Sequence, residues 1–308
     1  MSTDAPATLR RDCPVCGAPA STATVFIDRN IDDAQLTSSS FASRKNPEFM
    51  NHRLMRCPGC DLVYVDEPPS QATLGDAYHQ ADYDSSEEAD DAASAYIAAI
   101  GPLLRRLRRH ESALEIGAGT GVFLQKLADA GFAKVRGVEP SPAAIAAAPE
   151  RRQAWLKQGL FEEKDFAPGS FDLICCFMTM EHVRDPLVTA RAAYRLLRPG
   201  GGFAVVVHDH RGPVNRLLGA RSPIIDVQHM QLFSRRSVGR MLQLACYGDI
   251  AINSFANRYR LDYWLRLTPL PAPLKARIGA LLTSAGLDSR KLSANVGNLM
   301  AWGVKPGR

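Results

Sequence analysis

The chain lacks any long hydrophobic run, and its first twelve residues are polar. A helix that crosses a bilayer needs about 20 consecutive apolar residues, and a secretory signal needs an apolar segment behind a basic start. We therefore expect no membrane span and no signal peptide, which predicts a cytoplasmic protein. Thiols stay reduced in that compartment, so paired cysteines there are more plausible as metal ligands than as disulfides.

A long basic tract is also missing, although the net charge is +5. The arginines are scattered over predicted helices, as at Arg105, Arg106, Arg108 and Arg109, a pattern typical of a solvated helix face. Internal repeats and low-complexity segments are lacking as well. We therefore expect no nucleic-acid partner, and a phosphate-bearing small substrate suits the same charge balance.

From residue 112 onward, short apolar runs alternate with helical patterns. Four runs are predicted strands: Ala113–Ile116, Val135–Val138, Phe171–Phe177 and Phe203–Val207. Three stretches between them are predicted helices: Val122–Ala130, Pro142–Ala148 and Pro186–Leu197. Such alternation implies βαβ crossovers and a parallel sheet covered on both faces. Two further candidate strands, 249–255 and 297–304, follow, with a helix at 236–245 before them.

The segment before this region differs in composition, and its second half contains an amphipathic helical pattern from about residue 92 to 109. Tyr78, His79 and Tyr83 precede that helix and are candidates for a lid over a site. The predicted organisation is a small module at 1–66, a helical linker or lid at 67–110, and an α/β domain at 111–308 with inserts at 209–233 and 258–293.

The sharpest motif is the run L-E-I-G-A-G-T-G, which ends the first strand of the α/β region. Gly117, Gly119 and Gly121 let the backbone turn tightly and approach a ligand, because no Cβ intrudes. The G-x-G-x-G spacing differs from the G-x-G-x-x-G of dinucleotide sites. Glu115 is placed to orient the amino acid part of a cofactor, and Glu139, which closes the second strand, can accept hydrogen bonds from ribose hydroxyls. Together these features favour S-adenosylmethionine over a nicotinamide cofactor.

Three further runs follow the glycine loop: G-S-F-D-L-I at 169–174, E-H-V-R-D-P at 181–186 and L-R-P-G-G-G at 197–202. In order and spacing, residues 110–210 resemble the core of class I S-adenosylmethionine-dependent methyltransferases. The resemblance implies a Rossmann-like, seven-stranded and mostly parallel sheet that binds S-adenosylmethionine. It also implies that Leu160 and Phe161 flank the adenine, and that Phe177 and Met178 approach the cofactor near its methyl group.

Two C-x-x-C pairs stand before the core, at Cys13 and Cys16 and at Cys57 and Cys60. Two residues between thiolates place both sulfurs on one side of a tight turn, which fits half of a tetrahedral metal site. The pairs therefore predict a zinc ion, and four thiolates leave no open position, so its role is structural. Two disulfides are the alternative. The other three cysteines are predicted core residues: Cys175, Cys176 and Cys246.

A four-cysteine module ahead of such a core resembles enzymes that methylate nucleotide-activated deoxysugars, and wider families of polysaccharide and natural-product pathways. The resemblance implies a small-molecule acceptor, either a sugar nucleotide or a glycan precursor, methylated on carbon or oxygen. A lipid-linked intermediate, another natural product and a non-catalytic scaffold stay open as alternatives, as does a homodimer. The N/D-P-P-Y/F tetrapeptide is missing after the predicted strand Phe171–Phe177, which argues against amino groups of nucleic-acid bases.

A base is required when the acceptor atom holds its proton tightly, and histidine is a common choice. His229 is the first candidate, followed by His182 and His208. His182 and His208 follow predicted strands at the rim where doubly wound sheets bind ligands, although His182 is equally plausible as a structural loop residue. Strand alternation would turn His210 to the same side as His208. His229 precedes a helix that Ser234 can cap.

Overall fold

The computed structural model describes residues 10–42, 47–81 and 86–307. The strands are β1 (Thr24–Ile27), β2 (Leu54–Arg56), β3 (Val63–Val65), β4 (Ser112–Ile116), β5 (Lys134–Glu139), β6 (Leu156–Gln158), β7 (Phe171–Phe177), β8 (Leu197–His208), β9 (Gln231–Leu232), β10 (Gly248–Arg260) and β11 (Lys291–Val304). The α-helices are α1 (Gln71–His79), α2 (Ser86–Ala99), α3 (Gly101–Leu104), α4 (Val122–Asp129), α5 (Pro142–Ala147), α6 (Glu150–Gln153), α7 (Pro186–Leu196), α8 (Pro213–Leu218), α9 (Arg235–Leu244), α10 (Leu261–Leu267) and α11 (Ala272–Ser284). None of these helices is both long and apolar enough to cross a membrane.

A seven-stranded sheet forms the centre of the molecule, in the order β10-β11-β8-β7-β4-β5-β6. The five strands from β8 to β6 are parallel, and β11 and β10 are antiparallel to their neighbours. Every residue of β7 is buried, because helices cover both faces of this central strand. The expected Rossmann-like, mostly parallel sheet is confirmed, and the carboxyl ends of its parallel strands share one edge.

The last two strands form a hairpin that is longer than the sequence predicts. Their pairing continues from the sheet to Arg260 and Lys291, so the segment 258–293 begins inside β10 and carries α10 and α11 at its tip. Asn257 and Tyr259 are buried while Arg258 between them is exposed, as strand geometry requires. The hairpin thereby extends beyond the carboxyl edge of β8.

A second sheet, in the order β1-β2-β3-β9, is antiparallel throughout. Its first three strands come from the N-terminal region, but β9 comes from the segment 209–233, between β8 and α9. Val63 pairs with Leu232 and Tyr64 with Gln231. The N-terminal module therefore shares a sheet with a segment that leaves the edge of the central sheet.

The prediction of a single helix from about residue 92 to 109 is wrong in the bounds of that helix. It begins earlier, as α2, and is interrupted at Ile100 before the short helix α3. Pro102 in the first turn of α3 has no amide hydrogen to donate to a preceding turn, which explains why the two helices are separate. α2 packs on α4 and β10, so Tyr96 reaches the cavity described below.

Candidate active site

A cavity of about 880 Å³ opens at the carboxyl edge of the central sheet. Loops after β4, β5, β6 and β7 form one side, and residues at the end of β8, before β9 and in the C-terminal hairpin form the other. The structure brings these predicted site residues together in its lining: Glu115, Gly117, Gly119, Glu139, Leu160, Phe161, Phe177, Met178, His182, His208 and His229. Its volume is in the range of small-molecule and cofactor sites.

The three glycines of the loop have different roles. All adopt a positive φ, of 74° at Gly117, 52° at Gly119 and 68° at Gly121. A Cβ on Gly117 would collide with Thr179, whereas a Cβ on Gly119 would meet no atom within 4 Å. Gly119 therefore leaves open space beside the backbone. Gly121 does not line the cavity; it begins α4 as its N-cap residue, so the structure gives no support to a direct ligand contact there.

Two buried carboxyl groups stand beside this loop. Glu139 accepts hydrogen bonds from the N–H groups of Gly119 at 2.7 Å and Ser141 at 2.9 Å. Burial raises the pKa of Glu139, against the lowering effect of those two bonds. Glu115 is also buried, which raises its pKa well above the usual value, and Oε2 of Glu115 has no hydrogen-bond partner among the described residues. A carboxylate has about four acceptor positions, so both groups retain capacity for a ligand.

Three histidines form a row on the opposite side of the cavity. The ring centroid of His229 lies 4.9 Å from that of His182 and 5.5 Å from that of His208. Nδ1 of His229 is 2.9 Å from the carbonyl oxygen of Ile224. A carbonyl only accepts, so Nδ1 carries a proton, and in the neutral ring the lone pair is on Nε2. The structure thus fixes the tautomer of the middle histidine.

The flanking histidines stay neutral at pH 7. Burial lowers the pKa of His182 well below its usual range and that of His208 to about 3, and the neighbouring His229 lowers both pKa values further. Nδ1 of His208 lies 3.1 Å from Oδ1 of Asn298. A proton taken up by His229 therefore meets no positive charge on either neighbouring ring.

Helix α1 contacts the row of histidines through Tyr78. The hydroxyl of Tyr78 lies 2.9 Å from Nδ1 of His182, which is also 3.2 Å from the carbonyl oxygen of Gln228. Tyr78 lines the cavity, as a lid residue would. His79 does not, since its ring lies beside Gln158 at the edge strand β6. Tyr83 lies outside the described residues.

Behind the row, Glu181 is completely buried. Its Oε1 accepts the backbone N–H of His208 at 2.6 Å, and within the described chain its Oε2 has no hydrogen-bond partner. Burial raises the pKa of Glu181 to about 8. The group is therefore mostly protonated at neutral pH, which removes the cost of an unpaired buried charge.

We expect Glu181→Gln to change the pH dependence of stability. The folded pKa of about 8 lies above the ordinary value of 4.5, so the contribution of Glu181 is fully present below pH 4.5 and is lost as the pH rises through 8. Glutamine cannot ionise. The wild type should lose stability relative to the variant between pH 5 and 8, by up to about 1.4 kcal/mol per pH unit, as measured by urea unfolding.

A suitable control is Glu163→Gln. Glu163 is a surface group whose pKa Arg195 lowers, so its effect on stability should stay constant over the same pH range. Histidine titration is common to all three proteins and cancels in the comparison. A stability difference for Glu181→Gln that does not grow with pH would contradict the prediction.

His210 is not beside His208, contrary to the expectation from strand alternation. β8 ends at His208, and the next residue makes only an isolated bridge to Phe233, so the alternation does not continue. Nε2 of His210 lies 2.9 Å from the carbonyl oxygen of Asp61. His210 therefore contacts the N-terminal module.

The expected capping role of Ser234 is confirmed, since its side chain accepts the N–H of Ser237 at the start of α9.

The four predicted zinc ligands lie together in that module, with all Sγ atoms within 4.8 Å of one another. Cys13 and Cys60 are 3.5 Å apart and Cys16 and Cys57 are 3.4 Å apart. Disulfide sulfurs are about 2.05 Å apart, whereas ligands of a tetrahedral zinc at about 2.3 Å are about 3.8 Å apart. The spacing thus fits a zinc site.

The other three cysteines were predicted to be core residues. Cys175 and Cys176 are buried as expected. The prediction is wrong for Cys246, which is exposed because α9 ends before it.

Sequence reasoning missed two amides in the cavity, Asn257 on β10 and Asn298 on β11. Both are buried, and Oδ1 of Asn257 has no hydrogen-bond partner in the part of the chain that the structure describes. The alternation of the arginines at 258 and 260 with the aromatic Tyr259 was an available indication in the sequence that a strand continues there. Tyr259, Tyr263 and Trp264 from the same hairpin also line the cavity, so this end combines aromatic rings with amides.

Comparison with known proteins identifies the family of the chain. Residues 87–245, just over half of the chain, match the family described as "Methyltransferase domain". The chain belongs to the methyltransferase domain family. This membership confirms the S-adenosylmethionine-dependent class that the motifs of residues 110–210 indicated.

Individual relatives of this methyltransferase match it over shorter stretches. The ubiquinone biosynthesis O-methyltransferase of Sodalis glossinidius is 33% identical over 97 residues, which is 30% of this chain and 39% of that protein. The Pseudomonas paraeruginosa protein of the same name is 34% identical over 100 residues, 30% of this chain and 41% of that protein. The chain thus spans about two fifths of the length of these curated relatives.

Solved structures are similar over a larger share of the chain. A SAM-dependent methyltransferase from Thermotoga maritima is 20% identical and covers 71% of this chain and 91% of its own, with a TM-score of 0.47. Phosphoethanolamine N-methyltransferase 2 from Haemonchus contortus is 16% identical and covers 79% of this chain and 62% of its own, with a TM-score of 0.44.

Proposed function

We propose that the chain methylates a hydroxyl group of a small molecule, with S-adenosylmethionine as the methyl donor. The observation that carries the proposal is that the glycine loop with its two carboxyl groups and the row of three histidines line one cavity. The relatives named O-methyltransferases support oxygen as the methylated atom. A non-catalytic scaffold would need neither a fixed histidine tautomer nor a buried carboxyl oxygen that has no hydrogen-bond partner among the described residues.

The residues of the cofactor side fit S-adenosylmethionine. When bound, this cofactor supplies a methyl group activated by a positively charged sulfonium sulfur. Glu139 would accept hydrogen bonds from the ribose, and Glu115 would hold the amino acid part, which satisfies the Oε2 atom that lacks a partner in the described structure. Gly119 leaves the space for close approach of the backbone. Leu160 and Phe161 would flank the adenine, and Phe177 and Met178 would lie near the methyl group.

His229 is the proposed general base. Its Nδ1–H donates to the carbonyl of Ile224, which holds the ring in the tautomer whose Nε2 can accept the proton of an acceptor hydroxyl. His182 and His208 stay neutral beside it and orient the acceptor. Alignment of acceptor oxygen and methyl carbon supplies a large part of the rate, since positioning alone can lower a barrier by several kcal/mol.

The cavity favours a neutral acceptor over a nucleotide sugar. Among the described residues that line it, Arg184 is the one arginine or lysine, and its guanidinium is 3.9 Å from the carboxylate of Asp185. A diphosphate is normally bound by several cationic groups. We therefore propose a hydroxylated ring or similar neutral group as the acceptor. A glycan precursor or a lipid-linked compound whose phosphates stay outside the cavity is the second candidate.

The other predicted features enter the proposal unchanged. Cys13, Cys16, Cys57 and Cys60 would hold a structural zinc ion. The chain would comprise a zinc module at 1–66, a linker and lid at 67–110 and a methyltransferase domain at 111–308, and it would act in the cytoplasm.

Calorimetric titration with S-adenosylmethionine tests the cofactor site. We expect the wild type to bind and Glu139→Ala to bind at least about 10-fold more weakly, because a hydrogen bond to a charged group is worth about 1.5–3 kcal/mol. Glu163→Ala is the matched control, since this partly exposed group lies outside the cavity, and its affinity should equal that of the wild type. Absence of binding by the wild type would favour the scaffold, and an unchanged affinity of Glu139→Ala would refute the site.

A further inference from the structure

The N-terminal module is directly connected to the proposed base. Strand β3 begins three residues after the ligand Cys60, and its Tyr64 pairs with Gln231 of β9. The N–H of Val65 donates to the carbonyl oxygen of Met230 at 2.9 Å. Met230 is the residue after His229. Backbone hydrogen bonds therefore link the metal-binding turn to the segment that carries the base.

Arg11 adds a second connection from the same module. Its guanidinium donates to three carbonyl oxygens: Val65 at 2.6 Å, Arg184 at 2.7 Å and Met230 at 3.3 Å. The side chain is half-buried, and an arginine guanidinium is always charged at neutral pH. A planar guanidinium has five donors in a fixed arrangement, which a lysine cannot reproduce.

The opposite side of the base segment is held by the central sheet. The N–H of Met230 donates to the carbonyl oxygen of Glu181 at 2.7 Å, and the side chain of Glu181 accepts the N–H of His208. The same segment thus lies between the module on one side and, on the other, the loop after β7 that carries His182 and the end of β8 that carries His208. The hydrogen bonds of Gly119 and Glu139, by contrast, stay within the β4 and β5 half of the site.

From these contacts we infer that Arg11 is a positioning residue for His229. Its guanidinium connects two carbonyl groups to the metal-binding module, that of Met230 before β9 and that of Arg184 after His182. It thereby sets the distance between the rings of His182 and His229. The inference rests on the proposed role of His229 as the base. It gives the four-cysteine module a function in turnover, while cofactor binding stays independent of it.

The test compares Arg11→Lys with Arg10→Lys in the full chain. Arg10 is the neighbouring arginine, is exposed and has an ion pair with Asp66 at 3.7 Å, so it controls for the substitution itself. Amide hydrogen exchange should become at least about 10-fold faster at Met230 and Gln231 in Arg11→Lys only, because their hydrogen bonds then open locally. Nitrogen NMR spectra of the histidine rings should show the Nδ1–H tautomer of His229 in the wild type. In Arg11→Lys they should show a signal of His229 that is averaged over both tautomers. The ring of His110, which packs on Phe132, should not change.

Metal content and titration with S-adenosylhomocysteine complete the experiment. We expect both variants to keep wild-type metal content and affinity for this probe. Unchanged exchange and an unchanged His229 ring in Arg11→Lys would overturn the inference. Loss of the metal would also overturn it, because Arg11 would then act in folding the module. Failure of the wild type to bind the probe would count against the proposed function alone, since the exchange comparison does not depend on it.

Discussion

Replacement of His229 by glutamine is expected to lower kcat by about 100-fold or more, the usual contribution of a general base. Glutamine keeps a polar group of similar size but cannot accept and hold a proton. Since His229 lies on the histidine side of the cavity, the affinity for S-adenosylmethionine should change by less than about 2-fold. The measurement is the rate of S-adenosylhomocysteine release with a series of hydroxylated acceptors.

The control for this variant is His110→Gln. His110 packs on Phe132 and does not line the cavity, so its turnover should equal that of the wild type. His182→Gln should have a smaller effect than His229→Gln, because His182 would only orient the acceptor. Unchanged turnover in His229→Gln would remove this residue from the role of base, and a larger loss in His182→Gln would transfer the role to that neighbour.

The core of the fold could be predicted because its strands are buried on both faces. The bounds predicted for β7 agree with the structure, since every residue from Phe171 to Phe177 is shielded from solvent. The third strand of the parallel series, β6, could not be located. It has three residues, Leu156–Gln158, and two of them are exposed at the sheet edge, so it has no apolar pattern to detect.

The cofactor side of the site was accessible to sequence reasoning because its residues are local. Glu115 lies in β4 and Gly119 in the loop directly after it, and Glu139 ends the adjacent strand of a βαβ unit whose handedness is fixed. The geometry follows from the topology once the strands are identified. Gly121 shows the limit of this reasoning, since the same motif contains both a position at the cavity and one that only starts a helix.

The acceptor side depends on contacts between distant parts of the chain. Asn298 lies opposite His208 because of the register between β11 and β8, and no local pattern specifies that register. His229 reaches the cavity because the following residues pair with β3, over 160 positions earlier in the sequence. Its position before a helix made His229 a candidate in the sequence, but its support by the N-terminal module is a property of the tertiary structure.

The four-cysteine cluster leads to the second large expected effect. Cys60→Ser should abolish stoichiometric zinc binding and lower the thermal midpoint by about 5–10 °C. Structural zinc contributes on the order of 10 kcal/mol to small folded modules, and even a quarter of that corresponds to this shift at about 2–4 °C per kcal/mol. Metal released on denaturation and differential scanning calorimetry are the measurements. Because β3 begins three residues after Cys60 and pairs with β9, next to the segment of His229, turnover should fall as well.

Cys246→Ser is the matched control, since this cysteine is exposed and distant in sequence from the cluster. This variant should keep the metal content and the thermal midpoint of the wild type.

The mass of the chain distinguishes a zinc site from a pair of disulfides in the four-cysteine cluster. A pair of disulfides would make the intact chain about 4 Da lighter than its reduced form, at two hydrogens for each bond formed, whereas a zinc site leaves all four cysteines of the cluster as free thiols after denaturation and chelation. Wild-type protein without zinc but with that mass loss would replace the metal site by disulfides, and the coupling of β3 to the segment of His229 would then depend on oxidation.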